Sequence, residues 1–272
     1  MAQAAGKAAV IRSGMGGFTF EPWRGAFYPA GLRQADELAY ATRHVTSIEI
    51  NGTYYSSQKP ETFAKWAATA PEGFVFALKA SRFCTNRKVL AQGADSIGKF
   101  LGQGLVELGD KLGPILWQFM ATKAFDPVDF EAFLDLLPAS QDGVALRHCV
   151  EVRHASFFDP AFIAMCRARG VAISLSQNEG APFIPDLTAD FAYARLMAGS
   201  DEIETCYPAA DLDLWARRFG DYAQGQVPAD LTPVSPQPPS AGPRDVFAYF
   251  IREGKVRAPA GAMALLQRVR QD

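Results

Sequence analysis

Short apolar runs recur along this chain, several of them alternating apolar with polar residues. Stretches with apolar residues at helical spacing separate them. The runs read as eight strands: residues 10–14, 45–51 (VTSIEIN), 74–80 (FVFALKA), 115–119 (ILWQF), the stretch opening at Cys149 (CVEVRHASFF, 149–158), 171–177 (VAISLSQ), 191–196 (FAYARL) and 245–251 (DVFAYFI). Helices are predicted over 34–44, 60–70, 95–111, 127–137, 160–169, 209–222 and 259–270. Local chemistry agrees. Pro60 and Pro160 stand at helix starts, Asp126 and Asp159 precede helices as N-caps, and Gly170 follows one. Gly113 and Pro114 read as a helix break. Stretches 18–29, 52–57 and 81–90 read as loops, and only a turn region around 184–190 joins strands six and seven. Residues 224–244, proline-rich and without periodicity, read as a mobile surface loop. Strands alternating with helices imply parallel neighbours and right-handed crossovers. Eight such units predict a single-domain (β/α)8 TIM barrel over residues 1–272.

A barrel of this kind collects its chemistry at the C-terminal ends of the strands. The polar residues there are Glu49, Asn51, Lys79, Gln118, Glu151, Arg153, His154, Gln177 and Arg195, with Arg252 and Glu253 joining from strand eight. Glu49, Glu151 and His154 are the candidates for moving protons. Lys79, Arg153 and Arg195 suit an anionic group. Glu49 and Glu151 also resemble a glycoside-hydrolysing pair, a question their separation decides. The competing reading is structural. A buried carboxylate is costly without partners, so on this reading Lys79 and Arg195 neutralise the two glutamates, and Glu151 and Arg153 form a pair that stitches the core together. Trp23, Phe27 and Tyr28, in the aromatic loop 18–29, serve either as a lid or as packing.

Composition acts mainly by exclusion. With 272 residues and 49% hydrophobic content, the chain can bury one large core. A net charge of −2 and a pI of about 6.0 give no global basic field, so nucleic acid is not favoured as a partner and a small molecule is expected. No apolar stretch is long enough to span a membrane. Cys84, Cys149, Cys166 and Cys206 form no C-x-x-C pair, which together with the lack of a signal-like start leads to an expectation of a reducing cytoplasm. His44 and His148 lie just before predicted strands, at the end of the barrel remote from the site, so a multi-histidine zinc centre is hard to build. No metal is assigned, although a carboxylate-rich Mg²⁺ or Mn²⁺ site is compatible with the residues, and the cofactor is left open. Neither a phosphate-binding P-loop nor a G-x-S-x-G elbow is present, and the glycines after Met15 do not open a helix.

The stretches GMGGFTFEPWRGAFYP, VTSIEINGTYY, FVFALKA, LGPILWQF, VEVRHASFF and FAYARL resemble, in order, those of the family called domain of unknown function 72. The resemblance covers roughly residues 10–269 and implies a TIM-barrel-like fold. It implies site positions at Trp23, Tyr28, Glu49, Asn51, Tyr55, Lys79, Gln118, Glu151, Arg153, His154 and Arg195. Three departures stand out. The family's Thr-His is Thr85-Asn86, its Arg-Leu-His-Gly is Arg195-Leu196-Met197-Ala198, and its Phe-Asn-Asn is Phe250-Ile251-Arg252. The function expected first is a hydrolase-like enzyme acting on a small anionic or phosphorylated, sugar-like substrate. The alternatives are a non-catalytic binder of a metabolite or nucleic-acid phosphate in the same pocket, and a degenerate barrel engaged through its proline-rich segment.

Overall fold

Alternation within each apolar run places one set of side chains toward a common axis and the other toward surrounding helices. The computed structural model describes residues 8–178 and 180–270; the ends of the expected 1–272 domain, residues 1–7 and 271–272, lie outside them. Its eight main strands are β1 (Ile11–Gly16), β2 (Ser47–Ile50), β3 (Val75–Lys79), β4 (Leu112–Gln118), β5 (His148–Glu151), β6 (Ala172–Ser176), β7 (Phe191–Ala198) and β8 (Asp245–Glu253). All pair in parallel with their sequence neighbours, and β8 closes on β1 through Ile11↔Val246 to Met15↔Phe250. This is the (β/α)8 barrel that the pattern predicts.

The principal helices are α1 (Glu37–Ala41), α2 (Pro60–Thr69), α3 (Ala94–Leu101), α4 (Pro127–Asp135), α5 (Pro160–Ala168), α6 (Ala209–Ala223) and α7 (Ala258–Val269). The expected caps form: the Asp126 carboxylate accepts from the N–H groups of Val128 and Asp129, and Asp159 from that of Ala161. Among the described residues no helix joins β6 to β7. Outward residues such as Ile48, Phe76, Trp117, Val150, Leu175 and Val246 pack against the helices. A second cluster, including Val75, Leu116, Cys149, Phe191, Tyr193, Phe247 and Tyr249, fills the barrel interior.

Several boundaries differ from expectation for local reasons. The helix predicted over 95–111 ends at Leu101. Gly104 and Gly109 then take positive φ (98° and 54°), and only a broken 3-10 stretch, Leu105–Lys111, follows. The helix predicted over 34–44 is a 3-10 turn, Gln34–Asp36, leading into the short α1. Gly113 and Pro114 lie inside β4 rather than ending a helix. The β3–β4 register passes from Phe76↔Leu112 to Leu78↔Ile115, so the pair forms a bulge. Pro114 has no N–H to offer the ladder, and the extra residue absorbs that lack. His148 lies within β5 rather than before it. There it accepts from Trp117 Nε1 at 3.1 Å on Nδ1 and meets the Pro138 carbonyl at 2.8 Å through Nε2. The proline-rich segment is tied at its middle, where Asp186 accepts from the N–H groups of Val234 and Ser235. It is tied again at its end, where Arg244 donates to the Ala189, Ser240 and Gly242 carbonyls.

Among the described residues no helix is long and apolar enough to cross a membrane. Barrel closure brings β1 so close to β2 that a Cβ on Gly14 would sit 1.7 Å from the Ser47 carbonyl oxygen. Gly14→Ala is therefore expected to cost on the order of 3 kcal/mol or more in urea unfolding. Gly98→Ala, on α3 with open space around it, should be neutral or stabilising by up to about 1 kcal/mol. Equal stability of the two variants would contradict this account of closure.

Candidate active site at the barrel mouth

One step of two residues carries each inward strand position from the apolar interior to the rim. Ser47 is followed by Glu49, Ala77 by Lys79, Leu116 by Gln118, Cys149 by Glu151, and Tyr193 by Arg195. All five rim residues are buried. The Arg195 guanidinium lies between the two glutamates. Its Nε and Nη2 donate to Glu49 Oε2 and Oε1, each at 3.0 Å, and its Nη1 donates to Glu151 Oε2 at 2.5 Å. Arg153 Nε and Nη2 reach Glu151 Oε1 at 2.8 Å, and Gln118 Nε2 donates to the same oxygen at 3.0 Å. Tyr193 Oη donates to Glu49 Oε2 at 2.6 Å. Every carboxylate oxygen is thereby engaged.

Burial alone would raise the pKa of Glu151, but the charges of Arg195 and Arg153 and the Gln118 amide outweigh it and bring it down to about 2. Burial likewise opposes the charge on Arg195, yet Glu151 and Glu49 hold its proton more firmly than water would. Lys79 is the cation left over. Among the described residues no carboxylate lies within ion-pair distance of its Nζ, which sits 4.1 Å from the centre of the Tyr54 ring. Burial, reinforced by the like charge of Arg195, lowers its pKa from 10.5 to about 8 despite the pull of Glu49 and Glu151.

A cleft of about 310 Å³ opens over this group. Lys79, Arg153, Arg195, Arg252 and Lys255 line it, and among the described residues no carboxylate does, so this lining is cationic. Asn51, Tyr55, Gln118 and Trp23 complete its wall, Tyr55 at the exposed rim and Trp23 fully buried. Trp23 Nε1 donates to the Lys255 carbonyl at 2.8 Å, fastening the aromatic loop to the turn after β8. Tyr28 stands outside the cleft, bonded to the Phe18 carbonyl and packed against Phe27 and Tyr40. His154 also stands off the cleft, where its Nδ1 accepts from Ser156 and caps a 3-10 turn. Among the described residues no three His, Cys, Asp or Glu side chains are grouped to hold a metal ion.

Sequence reasoning missed Tyr193, Tyr54 and Lys255. Tyr193 was within reach, because it precedes Arg195 by one strand period and must face the same way. Tyr54 lies on a one-turn helix, Gly52–Tyr55, in a stretch that reads as a loop, and no periodicity separates its role from that of Tyr55. The departures Met197, Ile251 and Asn86 lie at or near this end of the barrel. Met197 Sδ is 4.0 Å from Arg195 Nη1, Ile251 lines the cleft, and Asn86 donates to Tyr54 Oη at 3.2 Å.

A family model for proteins of unknown function designated DUF72 matches residues 12–272. The UPF0759 protein YecE of Escherichia coli K12 is 30% identical over 131 residues, which is 47% of this chain and 44% of that protein, so the chain aligns with under half of that relative's length. A solved DUF72 family protein from Thermotoga maritima MSB8 superposes with a TM-score of 0.70 at 20% identity, covering 97% of this chain and all of that one. Another, from Enterococcus faecalis V583, gives 0.68 at 15% identity, covering 96% and 98%. At these identities the structural likeness carries the fold alone.

Arg195→Met would leave buried Glu49 without a cation and Glu151 with Arg153 alone. It is expected to cost about 3–5 kcal/mol at pH 7. Part of that loss should return as the pH falls toward 5 and the unpaired Glu49 takes up a proton. The parent behaves oppositely. Because Glu151 is held at about 2 when folded, against 4.5 when unfolded, the stability it contributes is present above pH 4.5 and is lost as the pH falls through about 2. Urea unfolding between pH 3 and 8 reads both slopes. A variant within about 1 kcal/mol of the parent at pH 7 would refute the bridging role.

Proposed function

This chain belongs to the DUF72 family, and on that premise we propose that its barrel mouth is an active site for a small anionic substrate, with Lys79 as the group that exchanges the proton. The observation that carries the reading is the state of Lys79, a buried amine in a cationic cleft with a pKa of about 8 and no carboxylate partner among the described residues. At pH 7 about a tenth of the molecules hold it neutral. Glu49 and Glu151 are saturated by their partners and serve to position Arg195 and Arg153, so acid–base work falls to Lys79. Arg153, Arg252 and Lys255, with the Gln118 amide, receive the anionic group.

Hydrolysis of a phosphorylated, sugar-like molecule suits this arrangement. Neutral Lys79 takes a proton from a water molecule as its oxygen attacks phosphorus. The bond from phosphorus to the sugar oxygen breaks, the arginines stabilise the negative charge, and the ammonium returns the proton to the departing oxygen. A second reading, ligand capture without turnover, is favoured by the absence of a free carboxylate oxygen on either glutamate.

Titration with sulfate, whose charge is constant over the working range, tests the cleft. Affinity should fall as the pH rises through about 8. Lys79→Met should lower it about tenfold at pH 7, and Lys79→Arg should retain it at both ends of the range. Turnover of a sugar phosphate, where found, should rise toward pH 8 and vanish in Lys79→Arg. A ligand recovered unchanged supports capture instead, and normal sulfate binding by Lys79→Met overturns both readings. Stability gives an independent check. The folded pKa of Lys79 lies below the unfolded value, so its burial penalty is complete below pH 8 and fades as the pH rises toward 10.5. Lys79→Met should thus be more stable than the parent at pH 7 by up to roughly 3 kcal/mol, a difference that closes near pH 10.5.

A further inference from the structure

We propose that the barrel mouth takes a two-part ligand, with an anionic head in the cationic cleft and a planar aromatic portion in a larger recess beside it. The assignment rests on the anion cleft proposed above and adds the class of molecule that fills it. The recess, about 660 Å³, opens at the C-terminal ends of β6 and β7, where the described residues of the crossover form no helix. Phe183, Met197, Trp215 and Leu231 form its apolar wall. Phe183 meets Trp215 edge-on with ring centres 6.3 Å apart, and the Arg218 guanidinium lies 5.0 Å from the Trp215 ring centre. Aromatic edges and a guanidinium plane favour a flat, polarisable ring over an aliphatic chain. Cavities of this size suit small ligands.

Arg252 links the two spaces, because it lines both the cleft and the recess. Its backbone lies at φ 68°, where the β7–β8 ladder slips between Phe250 and Glu253. A non-glycine residue is strained there, and the bulge is a device that re-aims a side chain. The guanidinium donates to Asn178 Oδ1 at 3.3 Å and stands in the wall shared by the two cavities. A ligand with its anionic group against Lys79 and Arg153 would pass Arg252 and lay its ring between Phe183 and Leu231.

Isothermal titration of the full chain with phosphate, 1-naphthyl phosphate, acetate and 2-naphthoate tests this. The phosphate pair and the carboxylate pair distinguish the two kinds of head. The aryl form of the preferred anion should bind about tenfold tighter than the bare anion. Phe183→Ala removes one wall and Leu231→Trp fills the recess. Each should bring the aryl ligand to within about threefold of the bare anion while leaving the bare anion's affinity unchanged. A bare anion that binds with no aryl gain, or a gain that survives both substitutions, overturns the two-part ligand and leaves the anion cleft standing. Failure of all four compounds to bind overturns both.

Discussion

The open end of the barrel depends on one guanidinium. Glu49 and Glu151 are fully buried on strands that do not neighbour each other, and Arg195 reaches both from a third. Without a cation between them, the two charges would repel and each would carry several kcal/mol of desolvation. With it, the carboxylates become ligands for the arginine rather than free acids. Tyr193, one strand period earlier on β7, completes the coordination of Glu49. Arg153 and Gln118 do the same for Glu151. The network therefore fixes the direction of several side chains at once, which is what a preorganised binding surface needs.

That bridge also determines where the remaining chemistry goes. Among the described residues, two carboxylates against Arg195, Arg153 and Lys79 leave one positive charge without a counterpart. It falls on Lys79, the residue that burial and its neighbours least favour in charged form. An ammonium held there subtracts from the stability of the fold, because the folded protein binds its proton less firmly than the unfolded chain does. The residues that depart from the family pattern surround this point. Met197 and Ile251 put apolar surface where the resemblance implies polar groups, and Arg252 adds a further cation. The mouth of this barrel is consequently apolar on one flank and cationic on the other.

Much of the fold was legible because its signals are local. Alternation marks strands, Asp126 and Asp159 cap their helices through their own carboxylates, and eight parallel units close in the one order that their connections allow. The misreadings were local too. Gly113-Pro114 carries the composition of a break, but a strand with a bulge tolerates the same pair. The apolar spacing after Leu101 continues although Gly104 and Gly109 turn the backbone out of the helix. For the site, the polar residues at strand ends were legible, but their roles were not. Glu49 and Glu151 read as a possible acid–base pair, a reading to which the spacing along the chain is silent. His154 reads as part of the site, yet it turns to Ser156, because a cap within two residues is nearer than the axis of the barrel.

The sequence by itself determined which residues face inward. Strand periodicity is a property of the backbone, and it commits Lys79, Gln118, Glu151 and Arg195 to the same side as the apolar residues two positions before them. Only the tertiary structure decided which of these inward groups meet. Whether a cation is neutralised or left over depends on distances of a few ångströms between strands far apart in the chain, and on the radius and stagger of the closed sheet. Hydrophobic pattern specifies that the sheet closes. The partners across its mouth are set by the geometry of closure, which no stretch of sequence encodes alone.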